Sequence, residues 1–301
     1  MSNGRKYLLT AIVLSAVLGL STCMSQLDQS PEPTGTPDPP DEKNFSPPGN
    51  SSARAAGDIE YLSGIVEIPS LGTISPRGSS AAQGILVDDT IAGTGADTHL
   101  QHGDIVKAID GEFIDSWESF YSILFEYFGG QYVRLWFIRD GRKMSVDLPL
   151  AVQKVPAEYE AMLRDLAAGN PVRLAVVVGE LERLGDYTEE ENRIWKADAE
   201  DMLLATTESA WSSNLRSFRR FSIVDRSTLD TIIEEQKLTL SGMVEDSVQL
   251  GRLAGATHVL EVSAKEYPDQ SAPRGKHTNY FNRLVDVETG VVAASVVYRR
   301  Y

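Results

Sequence analysis

Residues 100–114 read LQHGDIVKAIDGEFI, and this stretch decides how we expect the first half of the chain to fold. A Gly-Asp pair opens a short apolar run at 105–109, and Asp110-Gly111 follows that run directly. An Asp-Gly pair between apolar runs is a strong hairpin signal, because both residues accept the positive backbone φ of a tight turn. The stretch therefore predicts one short strand held between two tight turns.

The residues on either side extend this pattern into a small domain. Strand-like runs at 61–68 and 84–91 come before the opening stretch, and two alternating strands around another Asp-Gly pair come after it, at 132–150. Asp115, with a glutamate three residues later, predicts a capping box and a helix over 116–128. A Gly-Gly pair directly after that range ends the helix.

This order of elements resembles a bacterial PDZ domain of the type attached to HtrA proteases. The opening stretch matches the family's Leu-x-x-Gly-Asp-x-Ile-x-x-x-(Asn/Asp)-Gly pattern, and the strand pair with RDGRKMSVDLPL supports it. The resemblance covers 58–150 and implies a small, partly open β-barrel with helices. It also implies that the domain binds the C-terminus or an extended segment of another protein as an added strand, with backbone amides holding the terminal carboxylate.

In this family the carboxylate loop is an apolar-Gly-apolar element that precedes an edge strand. Residues 61–65 are the candidate here, with Ser63 as an insertion-like departure from the pattern. One face of the predicted helix should line the groove while the other packs in the core. We assign the Ser119 face to the groove; the alternative is the face with Phe120 and Leu124. The predicted peptide-binding residues are Tyr61, Leu62, Ser63, Gly64, Ile65, Ser119, Ile123 and Tyr127.

The second half of the chain, 171–301, alternates strand-like and helix-like segments, which predicts an α/β or α+β domain. Its first run, VRLAVVVG at 172–179, is typical of a strand buried on both faces. The stretch 221–267, with RLVDVETGVVAAS at 283–295, resembles the periplasmic domain of CsgG-like curli-secretion lipoproteins. Lipoprotein activators of penicillin-binding proteins share this fold type. We find no spare strand pair for a membrane pore, whereas assembly into a homo-oligomeric ring is left open.

The N-terminal residues 1–23 have the pattern of a bacterial export signal. A basic start and an apolar run at 7–20 are typical of a signal peptide and are short for a membrane span. The run ends in LSTC, which resembles a lipobox in which Cys23 receives lipid, with Thr22 as a departure. The alternatives are a plain secretory signal and an uncleaved membrane anchor. Met24, where aspartate would favour the inner membrane, weakly favours the outer membrane.

The remaining segments divide the chain. Residues 24–57 are rich in proline and poor in large apolar residues, which predicts a disordered tether. Residues 151–170 predict a connector helix between the two domains. The expected order is therefore the signal peptide, the tether, the PDZ domain, the connector and the CsgG-like domain.

Composition and motifs exclude several function classes. The formal net charge of −15 argues against nucleic-acid binding. A single cysteine leaves no internal disulfide and no cysteine-based zinc site. Asp97, His99, His102 and Asp104 fall around the turn of the opening stretch, where solvated side chains need no ligand, so we predict no metal and no cofactor. No serine-protease triad or nucleophile elbow lies outside the two domains, and we predict no enzymatic activity.

Together these features predict a lipid-anchored protein at the periplasmic face of a bacterial cell envelope. We expect an adaptor whose PDZ groove captures a peptide and whose CsgG-like domain docks a partner or self-assembles. The alternative is a ring-forming component of a curli-like secretion or assembly apparatus.

Overall fold

The computed structural model describes residues 58–75, 81, 83–236 and 244–301. The predicted signal peptide with Cys23 and the predicted tether at 24–57 lie outside these residues. No helix in the described part of the chain is long and apolar enough to cross a membrane. The described chain is a mixed α/β structure with several sheets, and each sheet is an open run of strands.

Within the described ranges the chain forms fifteen strands and six helices. In chain order the strands are β1 (Ile59–Ser63), β2 (Ile65–Ser70), β3 (Thr73–Ile74), β4 (Ile85–Leu86), β5 (Asp89–Thr90), β6 (Ile105–Ile109), β7 (Glu112–Phe113), β8 (Tyr132–Arg139), β9 (Arg142–Pro149), β10 (Ala151–Pro156), β11 (Val172–Arg183), β12 (Phe221–Ile223), β13 (His258–Pro268), β14 (Lys276–Asp286) and β15 (Val292–Arg300). The helices are α1 (Gly95–His99), α2 (Trp117–Leu124), α3 (Ala157–Ala167), α4 (Glu189–Leu215), α5 (Arg226–Gln236) and α6 (Val244–Ala254).

The largest sheet has six strands in the order β1-β15-β14-β13-β11-β12. Strand β11 pairs in parallel with β12 and β13, whereas β13, β14 and β15 pair antiparallel as a meander. The first described strand completes this sheet, since β1 pairs antiparallel with β15 and places Ile59 opposite Arg300. The two halves of the chain therefore share one sheet.

Both faces of this sheet are covered, which explains the near-continuous apolar run of β11. Leu174 and Val176 point to one face and join a core cluster with residues of α3 and α4. Ala175 and Val177 point to the other face and join a cluster with residues of α5 and α6. Because side chains alternate along a strand, a strand buried on both faces must be apolar at successive positions.

The opening stretch folds as its sequence predicts. Strand β6 covers 105–109, and it lies in a five-stranded sheet with the order β4-β6-β8-β9, in which β7 also pairs with β6. Asp110 has φ 49° and Gly111 has φ 95°, and the corresponding turn between β8 and β9 has the same pattern at Asp140 and Gly141, with φ 50° and 74°. Positive φ at both central residues is the geometry that Asp-Gly hairpin turns adopt. The predicted Asp-Gly turns at 110–111 and 140–141 are both confirmed.

The structure divides the predicted strand at 61–68 into two. Gly64 separates β1 from β2 and has φ +79°. A Cβ at this position would lie 2.2 Å from the carbonyl oxygen of Ser295, so the glycine lets the backbone pack directly against β15. After this break β2 pairs with β10, which lies in the segment predicted as part of a connector helix.

Helix α2 begins one residue later than predicted and with a different cap. The predicted capping box of Asp115 and Glu118 is wrong. Ser116 is the N-cap residue, its hydroxyl accepts the backbone N–H of Ser119 at 3.0 Å, and the Ser119 hydroxyl accepts the backbone N–H of Ser116 at 3.1 Å. The helix is also shorter than predicted and ends at Leu124. In the segment predicted as a connector helix, 151–170, the helix is shorter than predicted and is α3, because β10 takes the first six residues.

Candidate peptide-binding groove

A cleft of about 230 Å³ lies between strand β3 and helix α2. We call it the β3–α2 cleft. Thr73 and Ser75 form the strand side, and Phe120, Tyr121 and Leu124 form the helix side. The far side comes from β10, α3 and the end of α4. The lining residues there are Gln153, Tyr159, Ser213, Asn214, Ser217 and Phe218.

Strand β3 lines this cleft and has one backbone edge that no strand of the described chain pairs with. The carbonyl oxygens of Gly72 and Ile74 accept hydrogen bonds from Ile91 and Asp88, both at 2.8 Å, on the side of β5. Successive residues of a strand direct their backbone groups to opposite edges, so the N–H and C=O of Thr73 face away from β5. Among the described residues β5 is the one strand that pairs with β3. An extended peptide can add at the free edge.

The loop that leads into β3 has the apolar-Gly pattern of a carboxylate loop. Leu71 is 1% exposed and anchors the loop in the core cluster below the cleft. Gly72 has φ +74°, and a Cβ there would lie 2.5 Å from the hydroxyl oxygen of Thr94, so both the conformation and the space require glycine. The backbone N–H of Gly72 donates to the hydroxyl of Ser70 at 3.1 Å.

The helix side of the cleft is apolar and firmly packed. Phe120 and Leu124 are 6% and 1% exposed and belong to the same core cluster as Leu71. Tyr121 stacks on Phe218 with ring centroids 5.9 Å apart. Burial raises the pKa of Tyr121 to about 12, although its hydrogen bond with Tyr159 opposes the shift. The phenol therefore stays neutral.

The helix side is also fixed to the second half of the chain. The backbone N–H of Arg219 donates to Glu118 Oε1 at 2.7 Å, and the ring of Trp117 lies 6.4 Å from that of Phe218. Glu118 and Trp117 are in the first turn of α2, whereas Phe218 and Arg219 follow α4. These contacts hold the first turn of α2 and the end of α4 together at one end of the cleft.

The predicted carboxylate loop lies elsewhere. Tyr61, Leu62 and Ser63 are on β1 in the six-stranded sheet, and Ile65 begins β2 opposite Pro156. The carbonyl oxygen of Gly64 accepts the backbone N–H of Ala157 at 2.8 Å. The other side of Gly64 packs against β15. Contacts within the protein therefore already fill the space around this loop.

The predicted helix face is used for other contacts. Ser119 is the reciprocal partner of Ser116 in the capping box of α2, and the hydroxyl of Tyr127 donates to Asp110 Oδ2 at 2.9 Å. Ile123 is half-buried and packs against the core cluster of the small sheet. These three residues do not line the β3–α2 cleft, so the structure does not bring them together with 61–65 in one site.

Sequence reasoning missed the loop at Ser70, although its signal is visible in the chain. The residues SLGTI at 70–74 place leucine and glycine directly before a short β-branched run, without the insertion that Ser63 introduces in the other candidate. A strand follows each of the two candidate loops, 61–65 and 70–74. The order of elements in the sequence therefore does not show which loop lies beside the groove.

Comparisons with known proteins give one family match. Residues 172–298 match the family model described as the curli production assembly/transport component CsgG. No curated protein sequence matches the chain. A CsgG-like domain is therefore present in the second half.

The chain is also similar to solved structures. The LpoB C-terminal domain from Salmonella enterica shares 17% identity over 46% of this chain and 89% of that chain, with a TM-score of 0.29. The PDZ domain of an SdrC-like protein from Listeria monocytogenes shares 22% identity over 23% of this chain and 73% of that chain, with a TM-score of 0.22. The HtrA-type protease AlgW with a decapeptide shares 18% identity over 30% of this chain and 31% of that chain, with a TM-score of 0.26.

Proposed function

We propose that the protein is a non-enzymatic adaptor of the bacterial cell envelope. Its β3–α2 cleft captures the C-terminus or an extended segment of a partner protein. The observation that carries this proposal is the free edge of β3 at Thr73, which faces the apolar wall of Phe120 and Leu124 across the cleft. Addition of a strand to such an edge supplies main-chain hydrogen bonds, and the facing pocket supplies side-chain selection.

We assign the terminal carboxylate to the loop before β3. Its donors are the backbone N–H of Thr73 and the Ser70 hydroxyl, which accepts from the Gly72 N–H and can donate its own hydrogen to the carboxylate at the same time. This proposal replaces the loop at 61–65, because Gly64 there is packed against β15. The terminal side chain would lie against Leu124, which favours an apolar residue.

The far side of the cleft suggests how recognition is coupled to the rest of the protein. Gln153, Asn214 and Phe218 belong to β10 and to the α4 region, so a bound peptide contacts both halves of the chain. We propose that the CsgG-like domain docks a second partner or self-assembles. We further propose a lipid anchor at Cys23 that holds the protein at the periplasmic face, with the outer membrane as the favoured site.

A binding experiment tests this function. A displayed library of random C-terminal peptides selects a ligand, which is then synthesised as the free acid and as the amide. Fluorescence polarisation should show at least tenfold weaker binding of the amide. Thr73→Pro removes the outward N–H and should also weaken the free acid at least tenfold, whereas Ile123→Ser, outside the cleft, should not. Equal affinities of acid and amide, with no effect of Thr73→Pro, would refute the proposal.

The second candidate is a ring-forming component of a curli-like apparatus, which the CsgG family match favours. Light scattering on the full chain in detergent distinguishes it from the adaptor. A discrete oligomer of fixed stoichiometry supports the ring, and a monomer across the concentration range excludes it.

A further inference from the structure

A second cavity, of about 400 Å³, lies between the face of the six-stranded sheet and helix α4. We call it the Glu158 cavity. Strand β14 contributes Tyr280 and Asn282, β15 contributes Tyr298, α4 contributes Trp211, and Glu158 comes from the first turn of α3. The volume is in the range of small-molecule sites, which is about 300–1,000 Å³.

Two polar atoms of this cavity are buried acceptors without a hydrogen-bond partner in the described part of the chain. Glu158 is 3% exposed, and the side-chain Nδ2 of Asn282 donates to its Oε1 at 3.0 Å. That bond fixes the orientation of the amide and leaves Oδ1 as the free atom. Both Glu158 Oε2 and Asn282 Oδ1 are buried with no hydrogen-bond partner among the described residues. Unpaired buried acceptors are costly, so two of them on neighbouring side chains in one cavity indicate a missing donor.

The surroundings of Glu158 are aromatic and carry one cation. Tyr61 and Tyr298 face it from β1 and β15, and burial raises the pKa of both phenols, with a smaller contribution from the Glu158 charge. Arg300 also lines the cavity, and its side chain is hydrogen-bonded to Tyr280. Glu158 makes no ion pair within the described ranges. Burial raises its pKa to about 7, opposed by the bonds from Asn282 and from backbone.

We propose that the Glu158 cavity binds an aliphatic ammonium group. An ammonium carries three donors and no acceptor, so it satisfies Glu158 Oε2 and Asn282 Oδ1 together. The tyrosine and tryptophan rings hold the attached alkyl chain and interact favourably with the cation. A carboxylate or phosphate ligand would place further acceptors against two acceptor oxygens.

The ammonium has two sources, a free amine or a lysine side chain. The Glu158 cavity and the β3–α2 cleft share lining residues, among them Thr73, Gln153 and Tyr159. A lysine of a peptide bound in the cleft can therefore enter the cavity. The lysine form rests on the proposed function, whereas the free-amine form stands without it.

Calorimetry on the full chain in detergent tests the site with hexylamine, hexanol and hexanoate. Hexylamine should bind at least tenfold more tightly than hexanol, and hexanoate should not bind. Glu158→Gln should lower hexylamine affinity at least tenfold and leave hexanol unchanged. Glu160→Gln is the matched control, because Glu160 lies on the same helix and pairs with Arg164 outside the cavity. Because the pKa of Glu158 is about 7, cation binding at pH 7 should release about half a proton from its carboxyl. The number of protons released is measured by comparing binding enthalpies in two buffers of different ionisation enthalpy.

Ala210→Leu provides a second variant that fills the cavity from α4 without touching the carboxyl. It should abolish hexylamine binding, and thermal unfolding checks that each variant folds. Equal affinities for hexylamine and hexanol, or unchanged hexylamine binding in both Glu158→Gln and Ala210→Leu, would overturn the proposal.

A peptide arm distinguishes the two sources. Copies of the selected peptide with lysine or norleucine at successive upstream positions are compared. Suppose that a lysine peptide binds at least tenfold more tightly than its norleucine counterpart, and that this difference disappears in Glu158→Gln. That result identifies the lysine side chain as the source of the ammonium. Equal binding of the two peptides, with hexylamine still bound, identifies a free amine. If no peptide binds while hexylamine does, the proposed function fails and the ammonium site stands.

Discussion

The Gly-Asp pair of the opening stretch makes a specific stability prediction. Asp104 is 1% exposed, and its carboxylate accepts three hydrogen bonds. Two come from the Arg139 guanidinium, from Nε at 2.8 Å and from a second nitrogen at 2.6 Å, and the third comes from the backbone N–H of Gln101 at 2.9 Å. The side chain thus joins the turn before β6 to the end of β8. Asp104→Asn removes the charge and one acceptor oxygen while keeping the shape.

The expected cost follows from this burial. Removing one partner of a buried ion pair costs about 3–5 kcal/mol. Arg139 is 23% exposed and keeps some solvation, so we expect Asp104→Asn to lower the free energy of unfolding by about 2–4 kcal/mol. Urea unfolding followed by tryptophan fluorescence measures the change, and Trp136 on β8 reports on the same sheet.

The adjacent hairpin offers a matched control. Arg134 on β8 makes the same two-bond contact with Asp147 on β9, at 2.7 and 3.0 Å, but both side chains are more than half exposed. Solvent screens exposed pairs, so Asp147→Asn should cost far less than Asp104→Asn. Equal losses for the two variants would refute the reasoning that burial decides the contribution.

Three further predictions concern the glycine break, the helix face and the buried carboxyl. Gly64→Ala should detach β1 from β15, because its Cβ would lie 2.2 Å from the Ser295 carbonyl oxygen; hydrogen exchange of β1 amides should accelerate, and unchanged exchange would contradict the packing. Ile123→Asp should lower stability but leave peptide affinity unchanged, since Ile123 packs on the core outside the cleft; a loss of affinity at full stability would restore the Ser119 face as the groove wall. Because the folded pKa of Glu158 is raised from 4.5 to about 7, the folded state binds the proton more tightly and stability falls as pH rises between these values. Glu158→Gln should remove this slope and stabilise the protein above pH 7 by up to about 3 kcal/mol, and an unchanged slope in chemical unfolding across pH 5–8 would contradict it.

The sequence predicts well wherever local residues determine the backbone. The turns at Asp110-Gly111 and Asp140-Gly141 require positive φ, and few residue pairs accept it, so the hairpins are visible in the sequence alone. The buried strand β11 can also be predicted from the sequence. Its residues are apolar at successive positions, whereas a strand with one exposed face alternates apolar and polar residues.

The shared sheet could not be predicted because its contacts are distant in sequence. Ile59 pairs with Arg300, and no local pattern indicates that a strand before one domain completes the sheet of the other. The groove face of α2 was ambiguous for a different reason. Ile123 on one face and Leu124 on the other are both apolar, and periodicity does not say which one meets the core and which one meets the cleft.

The most direct test of the central claim is hydrogen exchange of the Thr73 amide by NMR. The full chain in detergent is labelled with ¹⁵N, and exchange is followed with and without the selected peptide. Strand addition predicts that the peptide slows exchange of the Thr73 N–H, which points away from β5, and leaves the amides of 61–65 unchanged. An unchanged Thr73 amide in the saturated complex, with protection at 61–65 instead, would contradict the account.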